Sequence, residues 1–159
     1  MGSSRTLVQC LFALLLVGAV PARAEFCEDL SVILDSGKEG FAAIRGELIT
    51  RHEDPVSDMR MVWQCQKMLP GANTCEIDWF RQAYNYTAFW HRASLEAHAQ
   101  AFAALDELLG GCGLTKKQTS KTGRSIWFKA EEAVDLDVVL AYNVNRVRLT
   151  FTASGFPNP

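Results

Sequence analysis

The stretch TAFWHRASLEAHAQAFAALDELLGGCG, Thr87 to Gly113, decides the reading of this chain. Ala, Leu, Glu and Gln dominate it, and all four are good helix formers. The glycines at 110, 111 and 113 supply a stop. The composition predicts a long helix over 87–109. At 100° per residue His91, Leu95, His98, Phe102, Leu105 and Leu109 fall on one stripe, with Trp90, Ala93, Ala97, Ala101, Ala104 and Leu108 beside it. Arg92, Glu96, Gln100 and Glu107 face away. Half the circumference is apolar and rich in alanine, which is the pattern of a helix lying close on a sheet.

The residues around it supply that sheet. Downstream, Val147, Leu149 and Phe151 alternate with Arg146, Arg148, Thr150 and Thr152, a period-two strand. Leu136–Tyr142 precedes it across an Asn143-Val144-Asn145 turn, where Asn tolerates positive φ. Ser125–Ala130 is a further short strand, and Thr115–Gly123 reads as a basic loop. Upstream, Thr74–Phe80 (TCEIDWF) sets Cys75, Ile77 and Trp79 against Glu76 and Asp78. Met59–Met68 pairs with it across the turn signal Leu69-Pro70-Gly71. Gly40–Gly46 is expected as a short strand and the polar, Pro55-containing segment 47–58 as a loop. Phe26, Leu30, Ile33 and Leu34 lie on one face of a short first helix that ends at Ser36-Gly37, with Gly37 left-handed. The sum is an α+β domain: an antiparallel sheet of five or six strands, with one long helix and one short N-terminal helix mainly on one face. Two helix-then-strands halves of similar size hint at pseudo-symmetry.

Residues 1–24 read as a cleaved export signal. Arg5 precedes the apolar run Cys10–Val20, Pro21 breaks it, and Ala22-Arg23-Ala24 offers small residues for cleavage before Glu25. The run is shorter than the roughly 20 residues a membrane span needs. The expected mature domain, 25–159, carries 14 Lys and Arg against 18 Asp and Glu. That balance argues against nucleic-acid binding, which calls for a basic face. Four cysteines remain in it. In an exported domain an even count reads as disulfides, and Cys65–Cys75 with Cys27–Cys112 is the favoured pairing. The spacing lacks the tight CxxC pairs of zinc sites, so neither a metal nor a cofactor is expected. The expected location is secreted or periplasmic.

No stretch carries a specific catalytic motif. His91 and His98 are seven residues apart, about 10 Å along a helix axis, too far to share a metal. The plain reading is two edge-of-core histidines hydrogen-bonded to backbone. Ser94 lies near His91 without a nucleophile elbow. Asp35, Glu39, Glu47, Glu53, Asp54 and Asp58 give an acidic first half. The cluster Tyr84, Tyr86, Phe89 and Trp90 reads as core, or as a binding surface where exposed. Asn85-Tyr86-Thr87 matches a glycosylation sequon. Lys116, Lys117, Lys121 and Arg124, with Arg146 and Arg148, form a candidate basic patch for an anionic partner. The stretches GFAAIRG (40–46) and LPGANTC (69–75) resemble those of small exported bacterial proteins of unassigned function, a likeness that implies no activity. The expected role is a non-enzymatic binding or accessory domain, of inhibitor, immunity or chaperone type, recognising another macromolecule, with a protein the expected partner. The alternatives are a small hydrolase using His91 or His98 with a carboxylate of the 47–58 loop, and a small-ligand carrier with a pocket between helix and sheet.

Overall fold

A computed structural model describes residues 19–52, 59–119, 126–129 and 136–156. The helix α1 (Ala19–Gly37) and a 3-10 turn (Ala42–Ile44) precede four strands: β1 (Arg45–His52), β2 (Arg60–Cys65), β3 (Thr74–Phe80) and β4 (Ala83–Trp90). The helix α2 (Leu95–Gly111) then precedes β5 (Thr115–Thr119), β6 (Ile126–Lys129), β7 (Leu136–Tyr142) and β8 (Val147–Ser154). All eight strands form one sheet in the order β1-β2-β3-β4-β8-β7-β6-β5, antiparallel at every pairing. The α+β class and the antiparallel sheet are as the sequence implies, with β4 and β5 added to the expected strands. The order is a palindrome about the β4–β8 seam. Each half is a helix followed by four strands, so the pseudo-symmetry hinted at by the sequence is present in the topology.

One face of the sheet carries the core. Trp63, Ile77, Tyr86, Phe151 and Val138 are successive partners along one row through β2, β3, β4, β8 and β7. All five are buried, all but Trp63 completely, in the same cluster as Phe26, Leu30 and Ile33 of α1 and Leu105 and Leu109 of α2. Each such side chain contributes about 1.5–3 kcal/mol of apolar burial. The two helices are joined by the Cys27–Cys112 disulfide, whose residues are 85 apart in sequence. Cys65–Cys75 ties β2 to β3, one step beyond the Gln64–Glu76 pair in register. Both pairings match the expectation. Closing the longer loop lowers the entropy of the unfolded chain, worth about 4 kcal/mol in the chain-entropy model.

Several boundaries differ from the sequence reading. The long helix starts at Leu95, not Thr87: Ser94 is its N-cap, its side chain accepting from the Ala97 N–H at 3.1 Å. Residues 83–90 are a strand instead. The turn that turns β3 into β4 is Arg81-Gln82, with φ of 49° and 62°. A two-residue hairpin turn with both φ positive normally uses Asn and Gly, so these residues gave no turn signal. The first strand begins at Arg45, and the stretch expected as a loop from Glu47 contains β1. Gly37 closes α1, and the left-handed residues are Gly40 and Phe41 (φ 61° each). Gly40 is required there because the Tyr84 ring lies 2.5 Å from where a Cβ would stand. The helix α1 is longer than the expected short one. Thr115–Thr119, expected as loop, is an edge strand.

Candidate functional site

Side chains that alternate with the core row point to the opposite face of the sheet. Among the described residues neither helix covers that face, because both sit with the core cluster and are bridged by Cys27–Cys112. Four strands build its centre. Val62, Asp78, Asn85 and Thr152 are register partners on β2, β3, β4 and β8. Gln64, Glu76, Thr87 and Thr150 form the next row.

Hydrogen bonds run across these strands. The Thr152 hydroxyl donates to Asn85 Oδ1 at 2.8 Å, and Asn85 Nδ2 donates to Asp78 Oδ1 at 2.8 Å. Asp78 Oδ2 accepts from Arg60 Nε at 3.1 Å and also lies 2.9 Å from Arg60 Nη2. Arg60 reaches Glu76 at 3.9 Å. The Thr87 and Thr150 hydroxyls are 3.2 Å apart. Each bond holds its side chain in one orientation, so this face presents a fixed pattern of carboxylate, amide and hydroxyl edges. Beside it the Arg146 guanidinium lies 4.4 Å over the Phe89 ring. Arg148 is exposed on the next row. The surface thus carries Arg60 paired with the β3 carboxylates Asp78 and Glu76 on one side, amide and hydroxyls on β4 and β8, and Arg148 at the end of β8.

The residues singled out from sequence fall elsewhere. Tyr84, Tyr86 and Trp90 point into the core, at 6%, 0% and 2% exposure, and offer a partner no surface. Phe89 is on the open face but only 7% exposed, beneath Arg146. The aromatic cluster is therefore a core element: residues 83–90 form a central strand, and neighbours on both sides bury them. Lys116 and Lys117 are exposed on β5 at the far edge of the sheet. Three strand spacings separate β5 from β8, about 14 Å, so these lysines do not merge with Arg148. Lys116 is paired with Asp106 of α2 at 2.9 Å. Lys121 and Arg124 lie outside the described residues.

His98 is 1% exposed, and its Nε2 accepts from the Arg92 backbone N–H at 3.1 Å. This is the plain reading of that histidine: it anchors the chain entering α2. His91 precedes the helix, is exposed, and its backbone N–H donates to Asn73 Oδ1 at 2.8 Å. The shared stripe of His91 and His98 does not form, because His91 is not helical. Of the acidic residues, Glu53, Asp54 and Asp58 lie outside the described residues. Among the described residues no group of three or more His, Cys, Asp or Glu could hold a metal ion, and no helix is long and apolar enough to cross a membrane. Asn85 of the sequon is held between Asp78 and Thr152 in the middle of the sheet.

Sequence reasoning missed Arg60, Asn85, Thr87 and Thr150 as one surface, although the outward positions of β3 and β8 were legible. The missing signal was the alternation of Tyr84, Tyr86, Ala88 and Trp90 with Asn85, Thr87 and Phe89, which identifies the strand joining them. No protein-family model, curated protein or solved structure matches the chain.

Proposed function

We propose that this chain is an extracytoplasmic accessory domain that binds another protein through the open face of its sheet. The observation that carries the reading is the hydrogen-bonded row Arg60, Asp78, Asn85 and Thr152, running across four strands on a face that neither helix covers. A pre-ordered polar surface loses little conformational freedom on binding, which favours a protein partner of complementary pattern. The uneven pattern, a paired Arg60–Asp78 at one end of the row and an exposed Arg148 near the other, would set the orientation of that partner.

Export fits the arrangement of α1. Residues 22–25 are exposed, and Phe26 is the first buried residue among those whose burial is described. Removal of the first 24 residues gives up the exposed Arg23 bond to the Gly111 carbonyl (2.9 Å) but leaves Phe26, Cys27, Leu30 and Ile33 in place. Two disulfides persist most readily in an oxidising compartment. The hydrolytic alternative draws no support from His98, whose ring is sealed in the core.

The test compares residues 25–159 with variants Thr150→Arg and Asn85→Arg as bait in extract from the exported fraction. A Val144→Arg variant is the control, since Val144 is 69% exposed in the β7–β8 turn. A protein retained by the parent and the control, but lost from both open-face variants, supports the reading. Equal retention by all four, or no retained protein, counts against it.

A further inference from the structure

The seam between β4 and β8 ends in a cluster of arginines. Pairing along it is regular from Ala83–Ser154 to Trp90–Val147. Phe89 therefore stands beside Arg148 on the open face, in a row with Thr74 of β3 and Ala141 of β7. Arg146 precedes the last pair on β8 and lays its guanidinium 4.4 Å over the Phe89 ring. Arg92 follows that pair on β4 by two residues. Its Nη1 donates to Asn73 Oδ1 at 3.3 Å and to the His91 carbonyl at 3.0 Å. Asn73 in turn donates its backbone N–H to the Phe89 carbonyl at 2.8 Å. The three arginines gather round one end of β4, and all three are exposed.

Among the described residues no carboxylate pairs with any of them. Glu76 of the same face is opposite Thr87 on β3, and it lies 3.9 Å from Arg60. Asp137 is in register with Thr152, two rows from Arg148. The expected mature chain has more Asp and Glu than Lys and Arg, so this corner is a local reversal of charge. Like charges held together repel, and an anion seated among them relieves that repulsion. Arg146 and Arg148 are two residues apart on one strand face, a spacing of about 7 Å. Carboxylates on alternate residues of an extended peptide repeat at the same interval. Thr150 and Thr152 continue the line with hydroxyls. A guanidinium offers a planar fork to a carboxylate, and stacking on Phe89 holds the fork of Arg146 in one plane.

We infer that this corner seats an extended acidic segment of the protein partner, with Asp or Glu at alternate residues, one carboxylate on Arg146 and the next on Arg148. Arg92, on the β3 side of Phe89, adds positive potential. The inference rests on the protein-binding reading of the open face and names the partner's chemistry there.

Fluorescence anisotropy of a labelled (Glu-Thr)4 peptide with the purified protein, both disulfides intact, tests it. Saturable binding that weakens with salt is expected, and none by (Gln-Thr)4. Arg146→Gln and Arg148→Gln each weaken binding about fivefold, and the double variant about twentyfold. Lys117→Gln, on β5 at the far edge of the sheet, leaves it unchanged. Urea unfolding confirms that each variant is as stable as the parent. No binding, equal binding of the glutamine peptide, indifference to the double variant, or tighter binding of an eight-nucleotide oligothymidylate overturns the inference. The double variant also joins Thr150→Arg and Asn85→Arg as bait. A partner lost by those two but kept by the double variant overturns this inference and leaves the open-face reading standing. No retained partner removes the open-face reading, whereas the peptide decides the corner in either case.

Discussion

Asn85 donates its side-chain amide to Asp78 Oδ1 at 2.8 Å across the β3–β4 pair. The bond makes Asn85 the hinge of the polar row, because its own Oδ1 accepts from Thr152. Asn85→Asp removes the donor and sets a second carboxylate against Asp78 while keeping the shape. The expected loss is about 2 kcal/mol in urea unfolding at pH 7, with the deficit shrinking as acid protonates one of the pair. Asn85→Ala, which removes the donor without adding charge, loses less, about 1 kcal/mol.

The β3–β4 turn is built from the wrong residues for its conformation. Arg81 and Gln82 both have positive φ, which costs a non-glycine residue roughly 1–2 kcal/mol each. Arg81→Asn with Gln82→Gly supplies the residues this turn prefers. The backbone bonds to the Gln82 carbonyl from Gly155 and Phe156, both 3.0 Å, are kept. The double variant is expected to raise the urea midpoint by about 1 kcal/mol of stability, with an unchanged m-value.

Two glycines separate strain from clash. Gly113 has φ +85° and open space around its would-be Cβ, whereas Gly40 has φ +61° and the Tyr84 ring at 2.5 Å. Gly113→Ala carries the backbone term alone, about 1 kcal/mol. Gly40→Ala adds displacement of a ring packed among Trp63, Phe156 and the Arg45 guanidinium, and about 3 kcal/mol is expected. Thermal unfolding of the two variants side by side checks the ordering.

Tyr86 gives the fold an alkaline limit. Its hydroxyl donates to the Lys67 carbonyl at 3.0 Å, and burial pushes its ionisation well above the ordinary tyrosine value of 10.0. The unfolded chain loses the proton near pH 10 and the native protein only at higher pH. The stabilisation is therefore fully present below pH 10 and declines as pH rises beyond it. Tyr86→Phe has a flatter stability profile between pH 9 and 11 than the parent, measured by urea unfolding. Equal slopes would contradict this assignment.

The core was legible because burial leaves a period in the sequence. Ile77 and Trp79, Val147, Leu149 and Phe151, and Phe26, Leu30 and Ile33 were read on their correct faces, and both disulfides followed from cysteine spacing and the turn at Pro70-Gly71. The open face was legible only in halves. Its centre is β4, whose two faces are both apolar enough to blur with a helix entry. The turn that starts it gave no warning, since Arg81-Gln82 carries neither Asn nor Gly. The β1 strand was read as a loop from Glu47 because bulges break its alternation. Buried His98 was legible as a core histidine, but its bond to the Arg92 N–H depends on where α2 begins.

Site-specific photo-crosslinking in the source cell tests whether the open face binds a protein. A photoreactive side chain is placed at Thr150 or Gln64 on the open face, and at Glu107 on α2 as reference. One protein adduct, outside the cytoplasm, is expected from both open-face positions and none from Glu107. Adducts of equal yield from Glu107, or none from Thr150 and Gln64, would contradict it.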